Sequence, residues 1–327
     1  MGKVLGLGNA LVDIMTQLED DNLLQQFNLP KGSMTLVDAD YASNISQSTN
    51  TLNKALVSGG SAANTISGLA NLGVQTGFLG KVGDDELGKF YAQDMIKNRI
   101  NPQLYIGQQA TGHATALVSK DSERTFATFL GAAIEMTPDD LKAEDFDGYK
   151  YFHIEGYLVQ NQPLVSTAMK MAKEKGLIVS LDLAAFNVVE SNRDFLHDVV
   201  EKYVDIVFAN EEEAKAFTGQ EPEEALHTIA AKCEIAVVKV GSKGSYIKTE
   251  NKEFTISPIV VNSIDTTGAG DLYASGFLYG LTKNLDMQKC GNIGSLLAGN
   301  VIEVMGPKMD EEKWIRLRDV VREIELS

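Results

Sequence analysis

Short apolar runs recur along the chain and set its expected architecture. VLGLG (4–8), ALVSGG (55–60), TGFLGKVG (76–83), YFHIEG (151–156), LIVSLDL (177–183), DIVFAN (205–210) and IAVVKVG (235–241) are continuous and rich in β-branched residues. Most end in Gly, Asp or Asn, as strands buried on both faces of a parallel sheet do. Between them, helical patterns run over 62–72, 84–98, 163–175 and 211–218, the first closed by Gly73. The alternation predicts an α/β fold with a doubly wound, mostly parallel sheet flanked by helices. In such folds ligands bind beyond the carboxyl ends of the strands.

Four segments keep a different period. DIMTQL (13–18), SMTLVD (33–38), HATALVS (113–119) and RTFATFL (124–130) alternate apolar with small or polar residues, as half-exposed antiparallel strands do. The last two flank KDSE (120–123), which reads as a hairpin loop. Together they predict a small β lid, drawn from about 13–38 and 112–131, within one domain spanning 1–327. After residue 284 the pattern is helical to the end.

Composition narrows the partners. The 327 residues carry 29 Lys and Arg against 45 Asp and Glu, a net charge of −16. Such a surface repels nucleic acid and anionic lipid, while leaving room for a local anion site. Cys233 and Cys290 lack the spacing of a metal site or a disulfide framework and point to a reducing cytoplasm. No apolar run is long enough to span a membrane. The opening MGKVLGLGNALVDIM, interrupted by Asp13, reads as a buried first strand rather than a signal peptide.

The densest chemistry lies in DTTGAGD (265–271), which runs into LYASGFLYGL. The chain must turn through Gly268 and Gly270 and enter a helix that carries Leu272, Ala274, Phe277 and Leu278 inward. Backbone N–H groups of 268–271 would then converge on one spot, an anion site helped by the helix dipole. Asp271 falls in the first turn, where complementing that dipole is its simplest role. Two glycines, two threonines and a second acid exceed what a dipole requires. A phosphoryl-transfer site uses those parts, as donors for developing charge and a carboxylate for the acceptor hydroxyl's proton. The dipole is expected to keep Asp271 ionised, a weak base suited to late proton acceptance.

Other stretches admit two readings. GLGNAL (6–11) starts like a dinucleotide fingerprint, but Leu11 takes the third glycine position and a strand-like segment replaces the required helix. It is either a tight turn or a strand end that places Asn9 and Asp13 toward vicinal hydroxyls. GGSAAN (59–64) sets Gly59 and Gly60 between a strand and a helix, with Ser61 as N-cap and Asn64 in the first turn. That is an ordinary βα turn or a close approach of backbone to ligand. VKVGSKGSY (238–246) holds Lys239, Gly241 and Gly244 in a hairpin or in a turn over a flat ligand, and no GxxxxGK[ST] is present. In ANEEEAKAFTG (209–219) the glutamates, taken alone, complement a helix dipole. The alternative has Asn210 and Glu213 ordering waters around magnesium.

DTTGAGD together with the GGSAAN…LG…G.VG.D..G pattern (59–88) resembles the ribokinase (PfkB-type) carbohydrate and nucleoside kinases, over essentially the whole chain. The resemblance implies phosphorylation of a hydroxymethyl group by ATP and Mg2+, with a β lid over the substrate. It assigns Asp271 as base and the backbone of Gly268, Ala269 and Gly270 as the anion hole. Asp13, Gly59, Gly60 and Asn64 become substrate contacts, and Asn210 and Glu213 act through magnesium and phosphate. Lys239, Gly241 and Gly244 fall in the nucleotide loop, and Asp265 and Thr267 lie where many members bind a monovalent cation such as K+.

Within the family, GNALVDI (8–14), SLDLAAFNV (180–188) and DIVFANEEEA (205–214) are similar to adenosine kinases. That branch implies a ribose contact from Asn9, base stacking on Phe126 and Phe129, and adenine contacts near Asn300 and Gly306. YFHIEGY (151–157) instead carries Glu155 where sugar kinases often keep an acidic residue. Three readings follow: an adenosine 5′-kinase, a kinase of ribose, fructose or a keto-deoxy sugar acid, and a non-catalytic nucleoside-binding protein. A sugar acid would need an arginine partner, for which Arg124 is the candidate. The expected state is a cytoplasmic monomer or a lid-mediated homodimer.

Overall fold

The computed structural model describes residues 2–121 and 123–327. Nine strands form the main sheet, in the order β14-β13-β12-β11-β10-β9-β1-β5-β6. Seven of them are parallel: β1 (Val4–Leu7), β5 (Thr76–Gly83), β6 (Ile100–Gly107), β9 (Tyr151–Glu155), β10 (Ile178–Asp182), β11 (Ile206–Asn210) and β12 (Ile235–Lys239). At one edge β13 (Ser245–Thr249) and β14 (Glu253–Ile256) add antiparallel. VKVGSKGSY is thus a hairpin in backbone path, joining β12 to β13.

A second sheet has the order β3-β8-β7-β2-β4. Its strands are β2 (Leu11–Gln17), β3 (Met34–Leu36), β4 (Lys54–Gly59), β7 (Gly112–Val118) and β8 (Arg124–Phe129). The expected hairpin of 113–119 with 124–130 pairs as β7 with β8, although Ser122 of its loop lies outside the described residues.

Two expectations change here. ALVSGG belongs to this second sheet, antiparallel to β2, and not to the main one. Only its inner end is buried while Lys54, Ala55 and Leu56 face outward, so a continuous apolar run did not mean a strand covered on both faces. The edge strand β6, INPQLYIG, was hidden for the converse reason, because an edge is half-exposed and its pattern is broken by Asn101, Pro102 and Gln103.

The helices are α1 (Asn22–Gln26), α2 (Ala39–Ser48), α3 (Ser61–Asn71), α4 (Glu86–Lys97), α5 (Gln162–Glu174) and α6 (Phe186–Ser191). They continue as α7 (Arg193–Tyr203), α8 (Glu211–Thr218), α9 (Pro222–Ala230), α10 (Ala269–Thr282), α11 (Met287–Val301) and α12 (Glu311–Leu326). Non-helical chain from 302 to 310, containing Gly306 and Pro307, interrupts the helical C-terminal stretch. None of the described helices is long and apolar enough to cross a membrane.

One apolar layer packs α3, α4, α10, α11 and α12 on the main sheet through Ile66, Met95, Phe277, Ile293 and Trp314. The opposite face is covered by α5, α7, α8 and α9 through Val165, Val200, Phe217 and Ile229. Burying both faces is what makes the central strands read as unbroken apolar runs. Helices α3 and α10 lie unusually close, since a Cβ on Gly68 would stand 2.3 Å from Ser275 Oγ. That contact brings the two helix N-termini together at the carboxyl ends of the strands.

Candidate active site

A cleft of about 1040 Å³ opens there. Its walls come from the ends of β10, β11 and β12, the glycine loop before α10, the first turns of α3 and α8, and two side chains of the second sheet, Asp13 and Phe126.

Asp271 sits in the first turn of α10 and is half-buried. Ser61 Oγ donates to its Oδ1 at 2.7 Å, and Asn64 Nδ2 donates to its Oδ2 at 3.0 Å. Thr65 Oγ1 holds the Asp271 carbonyl at 3.1 Å. Burial raises the Asp271 carboxyl to about 6, with the Ser61 and Asn64 bonds pulling the other way. The expectation of a dipole-stabilised, strongly ionised acid is therefore corrected, because burial is the largest influence on this carboxyl and favours its neutral form. Ser61 is also not the N-cap, a place taken by Gly60 at φ 101. Its hydroxyl is free to reach α10, a role that no local motif signals.

In the glycine loop Gly268 adopts φ 79, and a Cβ there would stand 2.6 Å from Pro307 Cβ. The Ala269 N–H donates to Thr266 O at 3.2 Å. It is committed to the turn, contrary to its expected place in the anion hole. The Gly268, Gly270 and Asp271 amides have no backbone acceptor among the described residues.

Asp13 faces Asp271 across the cleft, its carboxylate seated on Gly59, where any Cβ would stand 2.4 Å from Oδ2. Gly59 thus acts by making room and does not itself line the cleft. Burial raises Asp13 to about 6, offset by Lys308 and Arg124.

The acceptor wall loses two expected members. Glu155 is fully buried and takes Asn9 N at 3.0 Å, Asn9 Nδ2 at 2.8 Å and Ala62 N at 2.9 Å. It ties β9 to the Asn9 turn and the start of α3, so neither Glu155 nor Asn9 presents a free group to the cleft. Phe126 lines the cleft, whereas Phe129 is buried edge-on against His113.

Asn210 and Glu213 form a reciprocal capping box. Asn210 N and Nδ2 donate to the Glu213 carboxylate at 2.8 and 2.7 Å, and Glu213 N donates to Asn210 Oδ1 at 2.8 Å. Both residues also line the cleft, so the helix-start and ligand readings coexist. Burial, then the nearby Asp182, pushes the Glu213 carboxyl up to about 7. Gly241 and Gly244 line the far end at φ 55 and 96, and a Cβ on Gly244 would collide with Ile256 O. The face of α11 turned to the cleft carries Ser295, Ala298, Gly299 and Ile302 just beyond it. Asn300 instead points away and bonds Leu296 O, one residue past Gly299 and so about 100° round the helix from the cleft.

Asp265 serves the fold. Its Oδ1 takes Thr267 N and Oγ1 at 3.0 and 2.7 Å, and its Oδ2 takes Gly306 N at 2.7 Å. Arg124 Nη2 stands 2.6 Å from the same Oδ2, with both side chains nearly buried. A guanidinium already neutralises Asp265, so the expected monovalent cation does not fit this carboxylate. Sequence reasoning missed Asp182 and Tyr157, both lining the cleft, since a strand-end acid and an aromatic in an irregular turn carry no spacing signal.

Comparison with known proteins places the chain in a family. The family described as pfkB family carbohydrate kinase matches residues 32–314. A probable sugar kinase from Rhizobium etli CFN 42 is 33% identical, with a TM-score of 0.86 covering 100% of this chain and 99% of that one. The adenosine kinase from Sinorhizobium meliloti is also 33% identical, with a TM-score of 0.85 over 98% of this chain and 99% of that one. A 5-dehydro-2-deoxygluconokinase of Clostridium perfringens is 29% identical over 75% of this chain and 78% of its own length.

Proposed function

The chain belongs to the pfkB family of carbohydrate kinases, and on that premise we propose that it transfers the γ-phosphoryl group of ATP to the 5′-hydroxyl of adenosine. The observation that carries the reading is the juxtaposition of Asp271, held by Ser61 and Asn64, with Asp13 and Phe126 on the acceptor wall. Asp13, Gly60 and Asn64 receive the ribose hydroxyls, and Phe126 offers a stacking face to a purine. The second sheet acts as the lid. The O5′–H proton passes to Asp271 as the O5′–P bond forms and the β–γ bridging P–O bond breaks, releasing ADP. The free amides of Gly268, Gly270 and Asp271 receive the charge that develops on the transferred group.

The donor set suits a hydrated divalent cation. Six carboxylates line the cleft, Asp13, Asp182, Glu211, Glu212, Glu213 and Asp271. Among the described residues no three Asp, Glu, His or Cys side chains converge as direct metal ligands. Glu213 would hold magnesium through water, and the ion would neutralise the nucleotide phosphates.

A neutral sugar is the second reading, favoured by the likeness to the Rhizobium sugar kinase. A keto-deoxy sugar acid would need a free cation. Arg124 is engaged by Asp265, whereas the buried Lys308 Nζ, charge-coupled to Asp13 and Asp271, has no hydrogen-bond partner among the described residues. An ATP-coupled assay across adenosine, inosine, ribose, fructose and 5-dehydro-2-deoxygluconate tests the choice. The highest kcat/KM is expected on adenosine. A sugar preferred over it would move the assignment to a sugar kinase, and adenosine binding with no turnover on any acceptor would make this a nucleoside-binding protein.

A further inference from the structure

Among the described residues lining the cleft, Lys239 is the single cation, set against six carboxylates. A nucleotide that brings several negative charges into such a cleft meets net repulsion unless cations are placed where its phosphates lie. The position of Lys239 follows from the sheet. It ends β12, and its Nζ reaches past the end of β11 to Asp182 Oδ2, at the end of β10, at 3.0 Å. The Lys239 and Asp182 side chains are 15% and 8% exposed, so the pair is held in place and little screened by water.

The same ammonium faces the glycine loop. A Cβ built on Gly270 would stand 3.0 Å from Lys239 Nζ, its nearest neighbour at that position. A glycine at 270 therefore leaves the ammonium against the backbone whose free amides form the anion site. Burial works against its charge, but Asp182 and Glu213 more than offset this and hold the Lys239 pKa above its ordinary value. The group is cationic throughout the neutral range.

We infer that Lys239 is the protein's own charge partner for the transferred phosphoryl group, and that Asp182 is a positioning residue which holds the ammonium over the glycine loop. This rests on the kinase reading above and adds to it. A lysine in the nucleotide loop is tied to the γ-phosphate rather than to the base, and an acid to which the sequence assigned no role acquires one. A lysine that only neutralised Asp182 would have no preference for one nucleotide over another.

Nucleotide binding without acceptor separates these cases. ADP and a non-hydrolysable ATP analogue are titrated with magnesium into the wild-type protein, Lys239→Met, and the double variant Asp182→Asn/Lys239→Met. The double variant leaves no lone buried charge and guards against simple misfolding. Both variants are expected to bind ADP within about threefold of wild type and the ATP analogue more than about tenfold more weakly. Turnover is expected to fall by about 10²–10³-fold with the acceptor KM nearly unchanged. Equal losses for the two nucleotides, or wild-type affinity for the analogue in the double variant, would overturn the assignment. If instead the wild-type protein transfers no phosphoryl group to any acceptor, it is the kinase reading that fails.

Discussion

Asp271 shows how far a residue's neighbours redefine it. Its position in a first helical turn was legible in DTTGAGD, but its environment was not, because Ser61 and Asn64 reach it across 210 and 207 residues of sequence. With the carboxyl raised to about 6, the base is ionised above that pH and protonates below it. The acid limb of kcat/KM is expected near pH 6, shared with Asp13, which faces the same cleft and titrates in the same range. Asp271→Asn should lower turnover by about 10²-fold or more with substrate binding nearly intact. Ser61→Ala removes a donor that favours the ionised form, so the acid limb should move to higher pH by about one unit while activity at high pH is largely retained. An equal loss at every pH would reduce Ser61 to a structural role.

At the scale of elements, the site depends on how closely α3 and α10 pack. Gly68 faces Ser275 Oγ and Leu272 Cδ1, which would stand 2.3 and 2.9 Å from an added Cβ. Gly68→Ala should therefore push the helices apart, costing about 1–3 kcal/mol of stability. It should also lower kcat, since Asn64 and Ser61 lie about one and two turns up the same helix. Adding Ser275→Gly should restore part of both, which thermal unfolding and turnover measured on the same samples will show. That β2, β3, β7 and β8 are strands was legible. Their expected half-exposed antiparallel character was borne out only in part, since β2 pairs β7 and β3 pairs β8 in parallel and β7 and β8 are almost wholly buried. Assigning β4 to that sheet was not legible, because membership of a sheet depends on which neighbour supplies hydrogen bonds, and that is long-range information.

Over the whole molecule, four carboxyls that are buried or half-buried share one burden. Asp13 and Asp271 are raised to about 6, and Glu155 and Glu213 to about 7, each by burial first. A folded pKa above the unfolded one gives stability that is complete below the unfolded value and lost as pH rises through the folded value. The protein, at −16 overall, should accordingly melt at a higher temperature at pH 5.5 than at pH 8 in low salt. Asp140 and Asp265 are shifted down, so their opposing contribution falls below that window. His153, His113 and His197, held below the ordinary imidazole range by burial, oppose the trend inside it and are outnumbered by the four carboxyls. A melting temperature that is flat or falling from pH 8 to 5.5 would mean that the raised carboxyls do not outweigh the lowered histidines.

The family, the layered α/β plan and the glycine loop were written in local order, because parallel strands, helix starts and tight turns impose their own spacing and residue types. Whether an acid faces ligand or fold was decided only by packing. Glu155 and Asp265 are spent on backbone amides and Arg124, whereas Asp182, unmarked in sequence, meets Lys239 at the cleft floor. A carboxylate's role depends on which donors reach it and how much water is excluded, and both are set by residues far away along the chain.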